Sequence, residues 1–248
     1  MFAAVKITPL KSRSRFFPPR PQISFTPVLY KGKPLYYLVE MKASREKPGW
    51  DLLQRLCISY RSRLLLPVHC NIPESIRLFS YKKTTSEIIL LYNTMLRYIK
   101  EQSISSQTLS LCLCDENAVI ADKITSAVPC FSKINIVTNN SHPYNDVSEY
   151  IMKNHGLCLT FSHRPLYTDE NTLLVCREAE HIPLNFKGTV FCNESIPAPD
   201  CTAVKGSKIL MPDELSSVIP TDINPLHFLS AVHEFSDSEL LWDISFTS

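Results

Sequence analysis

Two short polar segments hold side chains that can do chemistry. The first, residues 115–117, follows an apolar run that ends at Cys114. The second follows a similar run and extends from Cys176 to His181, with a thiol, an imidazole and two carboxylates. One interpretation of the second segment is a Cys nucleophile with a His base, and the other is a polar loop at a strand end. Its candidate substrate-binding residues are Arg177, Glu178, Glu180 and His181.

The nine cysteines predict buried, reduced thiols in preference to disulfides. Their number is odd, and no C-x-x-C pair occurs. Cys112 and Cys114 lie two apart on a predicted strand and so share a face, either as small buried residues or as a metal or redox pair. The histidines show no H-E-x-x-H or related spacing. The sequence therefore predicts no metal site.

Strand and helix patterns alternate after residue 108. Short apolar runs predict strands over 109–114, 133–138, 157–161, 173–176 and 189–192. Apolar spacing predicts helices over 118–131, from Ser141 to a stop at Gly156, and from Asn224-Pro225 onward. This alternation with short connections favours a parallel sheet, whose carboxyl edge would hold both polar segments.

Three of these segments resemble the NAD(P)-binding domains of shikimate dehydrogenase and glutamyl-tRNA reductase-like proteins. They are Leu109 to Asp115, Lys133 to Asn140 and Leu157 to Phe161, and Val137-Thr138-Asn139 matches the Val-Thr ending of the family's second strand. The resemblance implies a Rossmann-like domain and an oxidoreductase-like use of NAD(P). It places the cofactor crevice at Asp115, Glu116, Asn117, Thr138, Asn139 and Asn140.

The first turn departs from that family's pattern. The family carries G-x-G-x-x-G there, but residues 114–119 contain no glycine and offer two carboxylates where phosphate would lie. Like charges about 4 Å apart repel by roughly 1 kcal/mol in water and by more when desolvated, while a helix dipole offsets about 0.3–1 kcal/mol. The sequence predicts a degenerate Rossmann-like domain with no cofactor, and altered NAD(P) binding is the alternative.

Charge is divided along the chain. Residues 1–100 carry 18 Lys or Arg against 5 Asp or Glu, and residues 101–248 carry 8 against 19. We predict an extended basic arm over 1–22, a basic α+β region over 23–104 and the Rossmann-like α/β domain over 105–248. The basic half suits an anionic partner such as nucleic acid, or the acidic half of the same protein or of a second copy.

Local patterns within the basic half predict a hairpin and two helices. The hairpin pairs residues 24–30 with 35–41, and the helices cover 50–65 and 85–102. Four cations in or near the helices form either an anion-binding patch or an ordinary solvated face. They are Arg61, Arg63, Lys82 and Lys83.

The apolar runs are too short to cross a bilayer, which takes roughly 20 residues, so we expect no membrane insertion and a cytoplasmic protein. The leading hypothesis is a non-catalytic protein that acts in partner binding or regulation, with another protein or a second copy as the partner. One alternative is an enzyme that binds a nucleotide or small metabolite in a non-standard way. The other is a nucleic-acid-associated protein that uses its basic half.

Overall fold

The computed structural model describes residues 1–10, 20–43, 49–60, 62–70, 72–104, 108–206 and 208–247. The strands in this part are β1 (Ala3–Pro9), β2 (Gln22–Tyr30), β3 (Lys33–Ala43), β4 (Leu64–Leu65), β5 (Ser110–Cys114), β6 (Lys133–Val137), β7 (Leu159–Ser162), β8 (Thr172–Val175), β9 (Thr189–Phe191), β10 (Thr202–Val204), β11 (Lys208–Leu210) and β12 (Ser245–Thr247). The α-helices are α1 (Trp50–Leu56), α2 (Ser86–Gln102), α3 (Asn145–His155), α4 (Asp213–Val218) and α5 (Pro225–Phe235). Across the described ranges, none of these helices has the length and apolarity that crossing a membrane requires.

Contacts divide the chain into two compact units. The first consists of Met1–Ser86 and Met211–Leu241, and the second of Glu87–Leu210 and Trp242–Ser248. The predicted domain boundaries after residues 22 and 104 stay predictions, because a compact set of contacts does not by itself define a segment that folds alone.

The first unit contains a mixed four-stranded sheet in the order β2-β3-β1-β4. β1 runs parallel to β3 and β4, and β2 and β3 form the predicted antiparallel hairpin. Its turn has positive φ at Lys31 and Gly32. The core packs α1 against this sheet, with Leu53 and Val39 fully buried. The smaller N-terminal α+β region is thus present as predicted.

Residues 3–9, predicted as part of an extended basic arm, instead form strand β1 inside the sheet. Ala3, Ala4 and Val5 are fully buried, and pairing on both sides satisfies their backbone groups. The strand escaped prediction because Lys6 interrupts its apolar run. The central part of the predicted arm, residues 11–19, lies outside the described residues.

The prediction of one helix over 50–65 is also wrong for the second half of that range. α1 ends at Leu56, a 3-10 turn covers Ile58–Tyr60, and Leu64 enters β4. The apolar residues of this segment have helical spacing, but Leu64 pairs with Ala3 in the sheet. Tertiary pairing therefore overrides local periodicity here.

The second unit contains a six-stranded sheet in the order β10-β9-β8-β5-β6-β7, and every neighbouring pair is parallel. When β5 to β10 are renumbered 1 to 6, the order read from β7 to β10 is 3-2-1-4-5-6. This order is that of the doubly wound Rossmann arrangement. Strands β5 and β8 are buried at every position, as expected for strands covered on both faces. The predicted α/β fold class is confirmed.

The helical segments of this unit agree with prediction only in part. The stretch predicted as one helix over 118–131 forms two 3-10 helices, Ala121–Ser126 and Val128–Cys130. Ala118 adopts a φ of 53°, which prevents a regular helix from starting there. α3 ends as predicted at Gly156, whose φ is 67°.

Candidate functional site at the switch point of the parallel sheet

The two polar segments follow the strands on either side of the point where strand order reverses. β5 pairs with β6 on one side and with β8 on the other. In open α/β sheets, ligands bind beyond the carboxyl ends of the strands at this point. Residues 115–117 follow β5 and residues 176–181 follow β8, so the fold brings the two segments to one edge.

Asp115 is the best-defined polar residue of this edge. Its side chain is buried, with the residue only 2% exposed. Its two carboxylate oxygens accept backbone hydrogen bonds from Val119 N at 2.9 Å and from Ile120 N at 2.7 Å. The carboxylate therefore occupies N–H groups that a Rossmann turn leaves free for phosphate.

Tyr144 supplies the third hydrogen bond to the same carboxylate. Its hydroxyl donates to Asp115 Oδ2 at 2.6 Å, and the Tyr144 ring is fully buried. Burial and the neighbouring carboxylate both raise the pKa of Tyr144, so the phenol stays protonated and remains a donor. Tyr144 was not among the predicted site residues, because nothing in the local pattern before α3 pairs it with a residue 29 positions away.

Glu116 and His181 approach each other across the switch point. His181 Nε2 lies 3.9 Å from Glu116 Oε1 and 3.7 Å from Glu178 Oε2. Arg177 lies 3.4 Å from the other oxygen of Glu178. These contacts join the turn after β5 to the loop after β8, but all four side chains keep some solvent exposure, which weakens each ion pair.

Three residues of the loop could present ligands to a cation. One ligand atom each from Glu178, Glu180 and His181 lies within 4.8 Å of the others. Exposed acidic groups commonly lie this close without an ion, so the cluster by itself does not define a metal site. The predicted absence of a metal stays a prediction.

Glu194, which follows β9, also reaches this loop. Its carboxylate accepts a hydrogen bond from Ala179 N at 2.7 Å and thereby holds the 3-10 turn of Ala179–His181. Glu194 was not among the predicted site residues. The available signal was its position two residues after a predicted strand end.

The other predicted crevice residues mainly stabilise their own turns. Thr138 Oγ1 accepts from Asn140 N at 3.1 Å, and Asn140 Oδ1 accepts from His142 N at 3.2 Å. Asn139 Oδ1 lies 2.9 Å from His163 Nδ1. Asn117 is exposed beside Glu116. In the part of the chain that the structure describes, no hydrogen bond or ion pair connects residues 138–140 with residues 177–181.

The buried cysteines lie beneath this edge as a packed cluster. Cys112, Cys114, Cys176 and Cys192 belong to one apolar core with Leu174 and Val190. A hydrogen bond with Cys192 and burial both raise the pKa of Cys176, and burial raises that of Cys112 to about 11. Cys176 is fully buried, and buried structural thiols are unreactive, which argues against Cys176 as a catalytic group.

No protein-family model matches the chain, and no curated protein matches its sequence. Among solved structures, the L-tryptophan dehydrogenase from Nostoc punctiforme is similar, with 8% identity and a TM-score of 0.38 over 84% of this chain and 66% of that one. The chain therefore spans slightly less than two thirds of that enzyme's length. A TM-score this low carries no argument, so the fold assignment rests on the strand order.

Proposed function

We propose that the chain is a non-catalytic Rossmann-like protein that acts in partner binding or regulation and does not hold a dinucleotide at its first turn. One observation carries the proposal: the Asp115 carboxylate accepts the N–H groups of Val119 and Ile120. A pyrophosphate would have to displace this carboxylate from a buried position and break its bond with Tyr144.

Charge at the same edge supports the proposal. Glu116, Glu178 and Glu180 add negative charge around Asp115, and Arg177 already pairs with Glu178. A dianionic pyrophosphate would be repelled by this edge, whereas a basic protein surface would be attracted to it. We therefore propose a partner that presents Lys and Arg, either another protein or the basic half of a second copy.

The proposal that the first turn holds no dinucleotide is tested by isothermal titration with NAD+, NADH, NADP+ and NADPH. The proposal predicts no binding at micromolar concentrations, and a dissociation constant in that range for any of the four would contradict it.

The proposal that the partner is a second copy of the chain is tested by light scattering after gel filtration at two salt concentrations. Ionic association between copies predicts a larger mass at about 20 mM salt than at about 500 mM salt, since screening shortens the reach of surface charges. A monomeric mass at both concentrations would exclude a second copy and leave a different basic protein as the partner.

A second candidate function is an enzyme that binds a nucleotide or small metabolite in a non-standard way. The observation that favours it is the meeting of Glu116, Glu178 and His181 across the switch point. If an activity is found, alanine at Glu180 and His181 should abolish it. An unchanged rate in both variants would remove this loop from the site.

We also propose a reducing compartment such as the cytoplasm. All nine cysteines are free, and Cys57, Cys112, Cys114, Cys176 and Cys192 are buried. Association with nucleic acid through the basic half remains a prediction, which low-salt retention on heparin would test.

A further inference from the structure

The first compact unit contains a pocket of its own. It has a volume of about 530 Å³ and lies between the segment 66–82 and the start of α5. This volume is within the range of small-molecule sites, about 300–1,000 Å³. Six lining residues are apolar: Leu66, Pro67, Val68, Ile72, Leu78 and Phe79.

The rim of the pocket exposes apolar surface to water. Phe79 is 72% exposed and Val68 is 59% exposed, whereas Leu66 and Leu78 form a buried floor. An apolar molecule that covers Phe79 and Val68 would gain roughly 25 cal/mol for each Å² of apolar surface removed from water. The pocket therefore suits a ligand with a hydrocarbon body.

Two polar groups on the wall have free hydrogen-bonding capacity. Lys82 and His227 both line the pocket. Among the described residues, the Lys82 ammonium has no ion pair and the His227 ring has no hydrogen bond. The neighbouring Lys83 differs, because its ammonium bonds to both oxygens of Glu234 at 3.1 and 3.2 Å.

The positive charge of Lys82 shifts the pKa of two other residues that line the pocket. Desolvation and the Lys82 charge lower the pKa of His227. The same charge opposes the effect of burial on the thiol of Cys70, another lining residue. Among the residues that the structure describes, no carboxylate lines the pocket, so the charge that Lys82 contributes to the lining is not offset there.

The other polar groups of the wall are already in use. Asn224 Oδ1 accepts from Leu226 N at 2.9 Å and from His227 N at 3.3 Å, which caps α5. Ser80 Oγ accepts from Leu66 N at 3.1 Å. A ligand anion would thus be held by Lys82 and by the His227 ring, and the helix end would contribute little.

We propose that this pocket binds a small amphipathic carboxylate, with its hydrocarbon body against Phe79 and Val68 and its head group on Lys82 and His227. Dispersion and the hydrophobic effect would supply most of the affinity. The Lys82 contact would select an anion over a neutral or cationic head. The proposal is independent of the function proposed for the second unit.

The test uses the full chain and three probes of equal length: octanoate, octan-1-ol and octylamine. Isothermal titration should give a dissociation constant of about 0.2 mM for octanoate, the order expected for a ligand with so few heavy atoms. Octan-1-ol should bind about tenfold more weakly, and octylamine more weakly still. Equal binding of octanoate and octan-1-ol, or no octanoate binding at about 5 mM, would overturn the proposal.

Matched variants locate the site. Lys82→Gln should weaken octanoate binding about tenfold, whereas Lys83→Gln removes a charge one position away and should leave it unchanged. Phe79→Ser should weaken all three probes, while Leu29→Ser, at an exposed leucine elsewhere in the same unit, should not. Equal effects of Lys82→Gln and Lys83→Gln would show a general charge effect and contradict the site. Thermal unfolding of each variant confirms that it is folded.

Discussion

Tyr144 donates a 2.6 Å hydrogen bond to the carboxylate of Asp115, and both side chains are buried. The bond joins the start of α3 to the turn after β5, and the same carboxylate accepts two backbone N–H groups of that turn. Three donors therefore converge on one carboxylate and tie the turn to the start of α3.

Asp115→Ala should destabilise the protein by about 3 kcal/mol, because it leaves two N–H groups and a hydroxyl without their acceptor. Asp115→Asn should destabilise the protein less, since the amide oxygen can still accept a hydrogen bond from the turn. Asp122→Ala, at an exposed acid a few residues away, should change stability by less than about 0.5 kcal/mol. Urea unfolding measures all three, and similar losses in Asp115→Ala and Asp122→Ala would contradict the described turn.

Tyr144→Phe should lower the free energy of unfolding by about 1.5 kcal/mol, which is the usual contribution of a hydrogen bond to a charged group. Tyr150→Phe in α3 is the control, because Tyr150 is 54% exposed. In a double-mutant cycle, Tyr144→Phe should add little to the loss already caused by Asp115→Ala, since both remove one shared bond. Additive losses would mean that the two residues act independently.

Gly188→Ala should be strongly destabilising, by about 3 kcal/mol or more. A Cβ at Gly188 would lie 2.0 Å from the Thr172 carbonyl oxygen and 2.9 Å from that of Asp169. Gly32→Ala is the matched control, because Gly32 has open space around it and a φ of +77°. That variant should cost only about 1 kcal/mol, from backbone strain. A loss at Gly188 no larger than the loss at Gly32 would contradict the close approach.

Stability should fall as the pH decreases below about 6.5, in part because of His233. Desolvation lowers the pKa of His233 from its ordinary value of 6.5, and its Nδ1 is buried without a partner among the described residues. The unfolded chain then binds more protons than the folded one, so acid favours unfolding. His233→Gln should reduce the slope of unfolding free energy between pH 5 and 6.5, and His69→Gln, at an exposed histidine, should not.

Cys158 should react first with a thiol reagent in the native protein. It is exposed, whereas five other cysteines are buried, and burial raises the pKa of Cys57 to about 11. Reaction with Ellman's reagent should therefore show one fast equivalent that Cys158→Ser removes. Cys70, Cys130 and Cys201 are half-buried and should react more slowly. More than three reactive equivalents in that variant would contradict the burial of the other five thiols.

Much of the second unit follows from its sequence, because buried parallel strands are short apolar runs with few alternatives. Leu111 to Leu113 and Leu173 to Val175 have this character, and the short connections between the strands predicted a parallel sheet. The pairing of these two strands with each other was not predicted. The placement of carboxylates at the first turn was also predictable. The segment after it was not, since Ala118 adopts a positive φ that apolar spacing does not reveal.

Contacts between distant residues account for most of what the sequence did not predict. Tyr144 reaches Asp115 through the fold, and Glu194 reaches Ala179 in the same way. In the first unit, Leu64 has helical spacing but pairs with Ala3 in a sheet. The pocket around Lys82 and His227 joins residues about 150 positions apart, beyond the reach of any local pattern.

The bond pattern of Asp115 also bears on how this protein would respond to the cell's metabolic state. If the first turn holds no dinucleotide, as proposed above, the Asp115 carboxylate acts as a ligand that is always present, and a change in nucleotide supply would neither order nor release the segment. On that proposal, protease resistance around residues 115–120 should be the same in starved and well-fed cells.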